Sequence, residues 1–311
     1  MSSVIVCGSM AFDTIMIFNG YFKDHILPER VHTLSVSFLV PGMRKEYGGC
    51  AGNISYNLRL LGGNPIPVAT VGEDADDYVA RFRAMGIDTR WIRVVPGSYT
   101  AQCFITNDLA DNQITAFHPG AMEMSAENDL DDAPGVWGIV APDSKEGMFR
   151  HAERLNRRKI PFIFDLGQAM PLFDGNDLMR MINLADVLTV NDYEARVVEQ
   201  RTGLRMADIA REKQAVIVTH GGEGSVLYHG GEEITIPATP AADVVDPTGC
   251  GDAYRAGLLY GLTSGWSWVD CCRLASVMGA IKIAHLGPQN HAPSRDQIGR
   301  MLYDTYGVTL A

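Results

Sequence analysis

From residue 136 onward the chain repeats one kind of unit: a short apolar run, then a stretch of helical character. The runs fall at 136–141, 161–166, 187–190 and 215–219, and two more stand earlier, at 4–7 and 66–71. Each is too short for an ordinary helix and is apolar almost throughout, so both of its faces must be covered. Parallel strands need crossover connections of a dozen or more residues, which the intervening helical stretches supply. A chain of this pattern folds as a mostly parallel sheet with helices on both faces. Such sheets bind their ligands beyond the carboxyl ends of the strands.

The 311 residues suffice for one large α/β domain, and 46% hydrophobic with 20% charged residues is ordinary for a globular enzyme. A formal net charge of −11, without a basic stripe, argues against a nucleic-acid surface. No apolar run approaches membrane-spanning length, and the first residues lack a basic segment followed by a long apolar core. The six cysteines, at 7, 50, 103, 250, 271 and 272, form no Cys-x-x-Cys pair. Neither a zinc site nor a disulfide framework is indicated, and the reduced cytoplasm is the expected location.

The stretch from Val245 to Tyr260 carries the chemistry. Pro247 cannot continue a strand ladder, Gly249 and Gly251 free the backbone, and Ala253, Ala256, Leu258 and Leu259 begin a helix. Gly249, Cys250 and Gly251 thus present amides at a helix N-terminus, which suits a phosphoryl group in transfer. Asp252 stands where those donors converge and can take a proton from an incoming hydroxyl. Taken alone, the same residues also describe a Gly turn before an Asp-capped helix. A Walker loop is excluded by the missing Gly-Lys-Ser/Thr, and a dinucleotide fingerprint by Tyr254 in place of a third glycine.

A second glycine-rich stretch, Gly48-Gly49-Cys50-Ala51-Gly52-Asn53, leads into an apolar helix over 54–61 that ends at Gly62 and Gly63. Asp13 follows the first strand closely, and its ionised carboxylate could accept from two vicinal hydroxyls. The segments 14–18 and 31–40 read as strands that no helix follows, and 99–106 with 113–118 reads as a hairpin. These four form a separate small sheet, a lid covering about 14–20, 31–47 and 99–118. A helix starts near Asp74, Asp76 and Asp77 and runs to about Met85, and another spans 271–284. Gln168 lies just beyond the 161–166 strand, Asn191 to Glu194 end the next, and Thr219, Gly221 and Gly224 follow the strand after that.

Asp246-Pro247-Thr248-Gly249-Cys250-Gly251-Asp252 resembles the second signature of the ribokinase-like (PfkB) carbohydrate and nucleoside kinases, Asp-Thr-x-Gly-Ala-Gly-Asp, with Pro247 and Cys250 as departures. Gly48-Gly49-x-x-x-Asn53 is similar to the first signature, Asn191-x-x-Glu194 to the family's Asn-x-x-Glu motif, and Thr219-x-Gly221-x-x-Gly224 to its ATP-contacting loop. The resemblance implies a three-layer α/β/α sandwich with a mostly parallel central sheet and a small lid, formed by residues 1–311 as one domain. It implies Asp252 as catalytic base, with Gly249, Cys250 and Gly251 as the anion hole. Asp13, Gly48, Gly49 and Asn53 would hold the sugar. Asn191, Thr219, Gly221 and Gly224 would contact ATP, and Glu194 would organise Mg²⁺ partly through water. Asp246 and Thr248, with the 287–290 loop, would hold a monovalent cation such as K⁺. In many members the lid also pairs two subunits as a homodimer.

Within the family, residues 10–28, 37–49 and 111–122 look like those of bacterial adenosine or broad-specificity nucleoside kinases. The expected reaction is phosphorylation of the ribose 5′-hydroxyl of adenosine or a related nucleoside, a purine-salvage step. Met10, Phe38, Phe117 and Met170 are candidate base contacts, and Gln168 a candidate base or sugar partner. Two alternatives stay open. One is a sugar kinase of the same fold; for a phosphosugar it would need extra cations, and only Arg44 and Lys45 are near. The other is a nucleoside sensor without turnover.

Overall fold

The computed structural model describes residues 2–26, 35–110 and 112–310. In chain order it contains β1 (Ser3–Cys7), β2 (Ala11–Ile17), β3 (Gly42–Gly48), α1 (Cys50–Leu60), β4 (Asn64–Val71), α2 (Asp76–Ala84), β5 (Ile92–Val94), β6 (Ala101–Asn107) and β7 (Gln113–His118). Then follow β8 (Trp137–Val140), α3 (Lys145–Arg157), β9 (Phe162–Asp165), α4 (Gly175–Leu184), β10 (Val187–Asn191), α5 (Asp192–Thr202), α6 (Met206–Ala210) and β11 (Ala215–Thr219). The chain ends with β12 (Ser225–His229), β13 (Glu232–Ile236), α7 (Cys250–Thr263), α8 (Trp268–Ile283) and α9 (Arg295–Tyr306).

Among the described residues nine strands form the main sheet in the order β13-β12-β11-β10-β9-β8-β1-β4-β5. All its pairings are parallel except those of β12 with β11 and β13. Successive side chains on each strand point to opposite faces, and both faces are buried. Val4, Val6, Ile163, Ala215 and Ile217 pack beneath α1, α7, α8 and α9. Ile5, Cys7, Phe162, Phe164, Val216 and Val218 pack beneath α3, α4, α5 and α6. This double coverage is why the runs are apolar at nearly every position and do not alternate. The three-layer α/β/α arrangement follows.

The smaller sheet has the order β3-β2-β6-β7 and projects as the lid. Its base rests on a third apolar cluster that includes Met10, Phe12, Val71, Tyr78 and Phe82. The boundaries correct the sequence reading at two places. The expected strand over 31–40 is not the lid's edge strand: 31–34 lie outside the described residues, 35–40 are irregular, and the strand is Gly42–Gly48. Within the described part, 35–40, Phe38 packs against Phe18 and Phe22, with ring centroids 4.8 and 5.1 Å away. The lid strand instead takes the polar, alternating Arg44, Lys45 and Glu46. The lid's second strand also begins earlier than expected, at Ala11, so that Asp13 lies within a lid strand and not in the turn after β1.

Candidate active site

Three neighbouring parallel strands end together. Asn191 pairs with Thr219 in register, and Thr189, two residues before Asn191, pairs with Asp165. Asp165, Asn191 and Thr219 therefore rim one edge of the sheet. They line a cleft of about 450 Å³ together with Cys50, Gly167, Gln168, Glu194, Gly221, Gly249, Gly251, Asp252 and Arg255. Gln168 is exposed within it. Gly221 has a positive φ of 55° with open space beside it, whereas a Cβ on Gly224 would stand 2.1 Å from the Ile236 carbonyl. Gly224 is thus needed for the close approach of β13, and it does not line the cleft.

The turn before α7 forms the cleft's opposite wall. Helices α3, α4, α5, α8 and α9 each have a side chain accepting from the first-turn amides, but α7 starts at Gly249 with φ 80° and no side-chain cap. A side chain at 249 is also barred by Pro288, whose Cβ would lie 2.8 Å from the new one. The amides of Gly251 and Asp252 make no hydrogen bond to a described residue. Unpaired donors at a helix N-terminus facing a cleft are an anion site.

Asp252, in the first turn of α7, accepts a hydrogen bond from Asn53 Nδ2 at 2.8 Å. Burial pushes its carboxyl up to about 7; the Asn53 donor opposes this, Asp165 adds to it, and Arg255 and the Cys50 thiol pull it down. A carboxylate poised near neutrality suits proton abstraction from an alcohol. Arg255, one turn further along α7, is buried in an ion pair with Asp165, Nη2 to Oδ1 at 2.9 Å.

Asn53 belongs to a buried polar chain. Gln289 Nε2 donates to Asn53 Oδ1 at 3.0 Å and contacts the Tyr78 hydroxyl at 2.5 Å, and Tyr78 donates to the Gly48 carbonyl at 2.8 Å. Gly48 in turn touches Asp13: a Cβ there would lie 2.6 Å from Asp13 Oδ2. Gly49, at φ 82°, has no room either, since a methyl group there would stand 2.6 Å from both Ser9 O and Ala11 N. No described residue donates to the Asp13 carboxylate, which keeps its acceptor capacity for ligand hydroxyls. Burial, then the charges of Glu46 and Asp246, raise its pKa to about 6.

Across the lid, Glu46, Asp13, Cys103 and Phe117 stand in one row on the same face. Phe117 is 54% exposed there. The other candidate base contacts are occupied elsewhere. Met10 is fully buried in the lid's base, Phe38 lies in the lid's aromatic knot, and Met170 packs on the core beneath α4 and α5.

Glu194 caps α5 reciprocally with Asn191. Its Oε2 accepts from the Asn191 amide and its Oε1 from Asn191 Nδ2, both at 2.9 Å. Burial and the nearby Asp165 raise its pKa. Among the described residues no group of three or more His, Cys, Asp or Glu side chains could hold a metal by itself. Asp246 fastens the turn, its Oδ1 taking the Thr248 amide at 2.9 Å and its Oδ2 the Gly287 amide at 2.8 Å. The Asp246 carbonyl, expected to face a monovalent cation, receives the Lys282 ammonium at 2.7 Å.

Sequence reading missed Arg255, Asp165, Gln289, Tyr78 and Lys282. Asp165, as the last residue of a strand, carried a positional signal; Arg255 lies three residues after Asp252 and so on a neighbouring helix face. Gln289, Tyr78 and Lys282 carried none, because only the folded chain brings them to Asn53 and Asp246.

An amide-lined turn, a part-buried carboxylate beside it and a second carboxylate without a described donor on the lid are the parts of a phosphotransferase with an alcohol acceptor. Comparison with known proteins agrees. The model of the pfkB family carbohydrate kinases matches residues 9–295. A nucleoside kinase from Methanocaldococcus jannaschii is 27% identical over 300 residues, covering 96% of each chain. The crystal structure of the M. jannaschii nucleoside kinase, described as an archaeal member of the ribokinase family, superposes with a TM-score of 0.90 at 26% identity, covering 98% of this chain and 99% of that one. The nucleoside kinase from Burkholderia thailandensis in complex with inosine superposes with a TM-score of 0.89 at 48% identity, covering 98% and 99%. The chain belongs to the pfkB carbohydrate kinase family.

Proposed function

We propose that the chain is an ATP-dependent nucleoside kinase that phosphorylates the ribose 5′-hydroxyl of adenosine and related purine nucleosides, a salvage reaction. The observation that carries this reading is the Asn53–Asp252 hydrogen bond, because it joins the sugar-binding signature to the base at the anion turn. Asp13 accepts the ribose hydroxyls, with Gly48 leaving its carboxylate clear and Gly49 letting the turn pack against the Ser9–Ala11 backbone. Asp252 takes the 5′-hydroxyl proton as that oxygen bonds to the γ-phosphorus and the bond to the β-phosphate oxygen breaks. The Gly249, Gly251 and Asp252 amides face the charge on the transferring group, whereas the expected Cys250 amide is taken by the Pro247 carbonyl at 3.1 Å; the rate gain is positional and electrostatic. The proton leaves Asp252 for solvent after ADP and the nucleoside monophosphate form.

ATP would lie along Asn191, Thr219 and Gly221, with Gly224 shaping that loop through its approach to β13. Glu194 fits a water-mediated hold on Mg²⁺: each of its oxygens has one hydrogen bond and a lone pair left, and a magnesium ion keeps several waters. The ion would supply charge neutralisation on the phosphates. Phe117 and Gln168 are the base-facing candidates, one on the lid's row with Asp13 and the other exposed in the cleft.

The similar B. thailandensis protein has been solved with inosine and with ADP-inosine, which supports a nucleoside acceptor here. A phosphosugar acceptor is disfavoured: Arg44 is 3.8 Å from Glu46, and Lys45 sits over the Phe12 ring, 3.6 Å from its centroid. The lid's other face carries Met16, Met43, Phe104 and Ile114, the last three at 70%, 40% and 43% exposed. We infer that a second copy covers them in a homodimer, which sedimentation at micromolar concentration tests; a monomer at all concentrations refutes it. Function itself is tested by ATP consumption against a panel of nucleosides, ribose and hexose phosphates. Binding of nucleosides without turnover would identify a sensor instead.

A further inference from the structure

The turn that carries the anion site is fixed by a buried lysine. Lys282, in the last turn of α8, is 0% exposed. Its Nζ donates to the Asp246 carbonyl at 2.7 Å and to the His285 carbonyl at 2.9 Å. These two oxygens come from different segments, the turn before α7 and the loop after α8. The Asp246 carboxylate also ties the turn to that loop by taking the Gly287 amide, and the Val245 and Asp246 amides tie it to α8, both donating to the carbonyl of Ile283, the helix's last residue. The Cys250 thiol adds a weak contact to the Asp246 carbonyl at 3.8 Å.

Carbonyl dipoles converging on one buried point repel one another unless a cation or a donor stands among them. In this chain the ammonium stands there. It is compact, carries one unit of charge and donates in three directions, so it resembles a desolvated monovalent ion in both size and charge. A K⁺ ion would have to share the Asp246 carbonyl with it, at contact distance from a like charge in a low-dielectric interior. Burial lowers the Lys282 pKa, while Cys250 and the Asp246 carboxylate favour the charged form.

We infer that the Lys282 ammonium is a tethered replacement for a monovalent cation, a positioning residue that holds the Asp246–Gly251 turn, and that phosphoryl transfer by this chain does not respond to K⁺. The kinetic part of the test rests on the nucleoside-kinase reading; the binding part does not.

Nucleoside phosphorylation is measured in potassium, sodium and tetramethylammonium chloride at equal ionic strength. The expected rates agree within about twofold, and a K⁺ stimulation of ~10-fold or more overturns the inference. In Lys282→Met, kcat falls by ~10-fold or more with little change in nucleoside KM, and K⁺ or NH₄⁺, but not tetramethylammonium, restores part of it. A loss that neither cation rescues refutes the replacement. Independently of turnover, crystals of the native chain soaked in thallium(I) acetate are expected to show no anomalous peak between the Asp246 and His285 carbonyls; a peak there refutes it. If Lys282→Met does not fold, the native salt series and the thallium soak still decide. Absence of turnover with every nucleoside in every salt would sink the functional reading alone, leaving the soak to judge the lysine.

Discussion

Asn53 Nδ2 and Asp252 Oδ2 lie 2.8 Å apart although 199 positions separate them in the chain. Each opens a helix, α1 and α7, whose N-terminal turn is glycine-rich. The bond brings the two glycine turns to one place and orients the carboxylate.

Asp252→Asn removes the proposed proton acceptor while its amide oxygen can still accept from Asn53. We expect kcat to fall by at least ~10²-fold, the scale of a lost general base, with nucleoside affinity retained. Steady-state kinetics and equilibrium binding check the pair of outcomes, and near-normal turnover refutes the assigned role.

The same substitution should stabilise the fold. A carboxyl whose folded pKa is raised to about 7 binds its proton more tightly folded than unfolded. Its contribution to stability is therefore present below the unfolded pKa and is lost as pH rises through about 7. At pH 8 the Asn variant should gain on the order of 1 kcal/mol, seen as a Tm rise of ~2 °C, and the gain should vanish near pH 4. Equal Tm differences at both pH values would contradict the burial argument.

Activity should have a two-step acid limb. Asp252 at about 7 and Asp13 at about 6 must both be ionised in the free enzyme, so kcat/KM falls as pH drops through the first value and more steeply below the second. Asp13→Asn should raise the nucleoside KM and leave a single limb. A flat profile from pH 5.5 to 8 would exclude both assignments.

Arg255→Met leaves the buried Asp165 carboxylate without its partner. Breaking such a pair costs about 3–5 kcal/mol, whereas Arg255→Met with Asp165→Leu should recover most of it. Urea unfolding of the three proteins tests the pair. A single-variant loss under ~1 kcal/mol would mean that solvent reaches the pair.

Phe117→Ala tests the proposed base contact on the lid. Loss of an aromatic surface beside a base costs ~1–3 kcal/mol, so the inosine or adenosine KM should rise by roughly 10-fold or more. The KM for ribose, if ribose is turned over at all, should not move. Equal losses for both would place Phe117 in lid packing.

Much of this was legible in the residues because it is local. Largely apolar runs at 161–166 and 187–190 mean strands covered on both sides, and the turn at 246–252 means a glycine-rich helix N-terminus, of whose amides those of Gly251 and Asp252 are free. Residues 35–40 misled because β-branched and aromatic residues serve an aromatic knot as well as a strand, and the Gly42–Gly48 strand is polar with Glu46 paired to Asp13.

By itself the sequence determined the layered α/β plan, the two glycine turns and the identity of the carboxylates that flank them, since strand burial, helix starts and turn conformation are set within a few residues. Tertiary structure alone decided which partners those groups meet: Gln289 and Tyr78 behind Asn53, Asp165 against Arg255, and the Lys282 ammonium on the Asp246 carbonyl. Such contacts join segments from 36 to 236 residues apart. They arise only when buried polar atoms, cut off from water, must find one another across a packed interior.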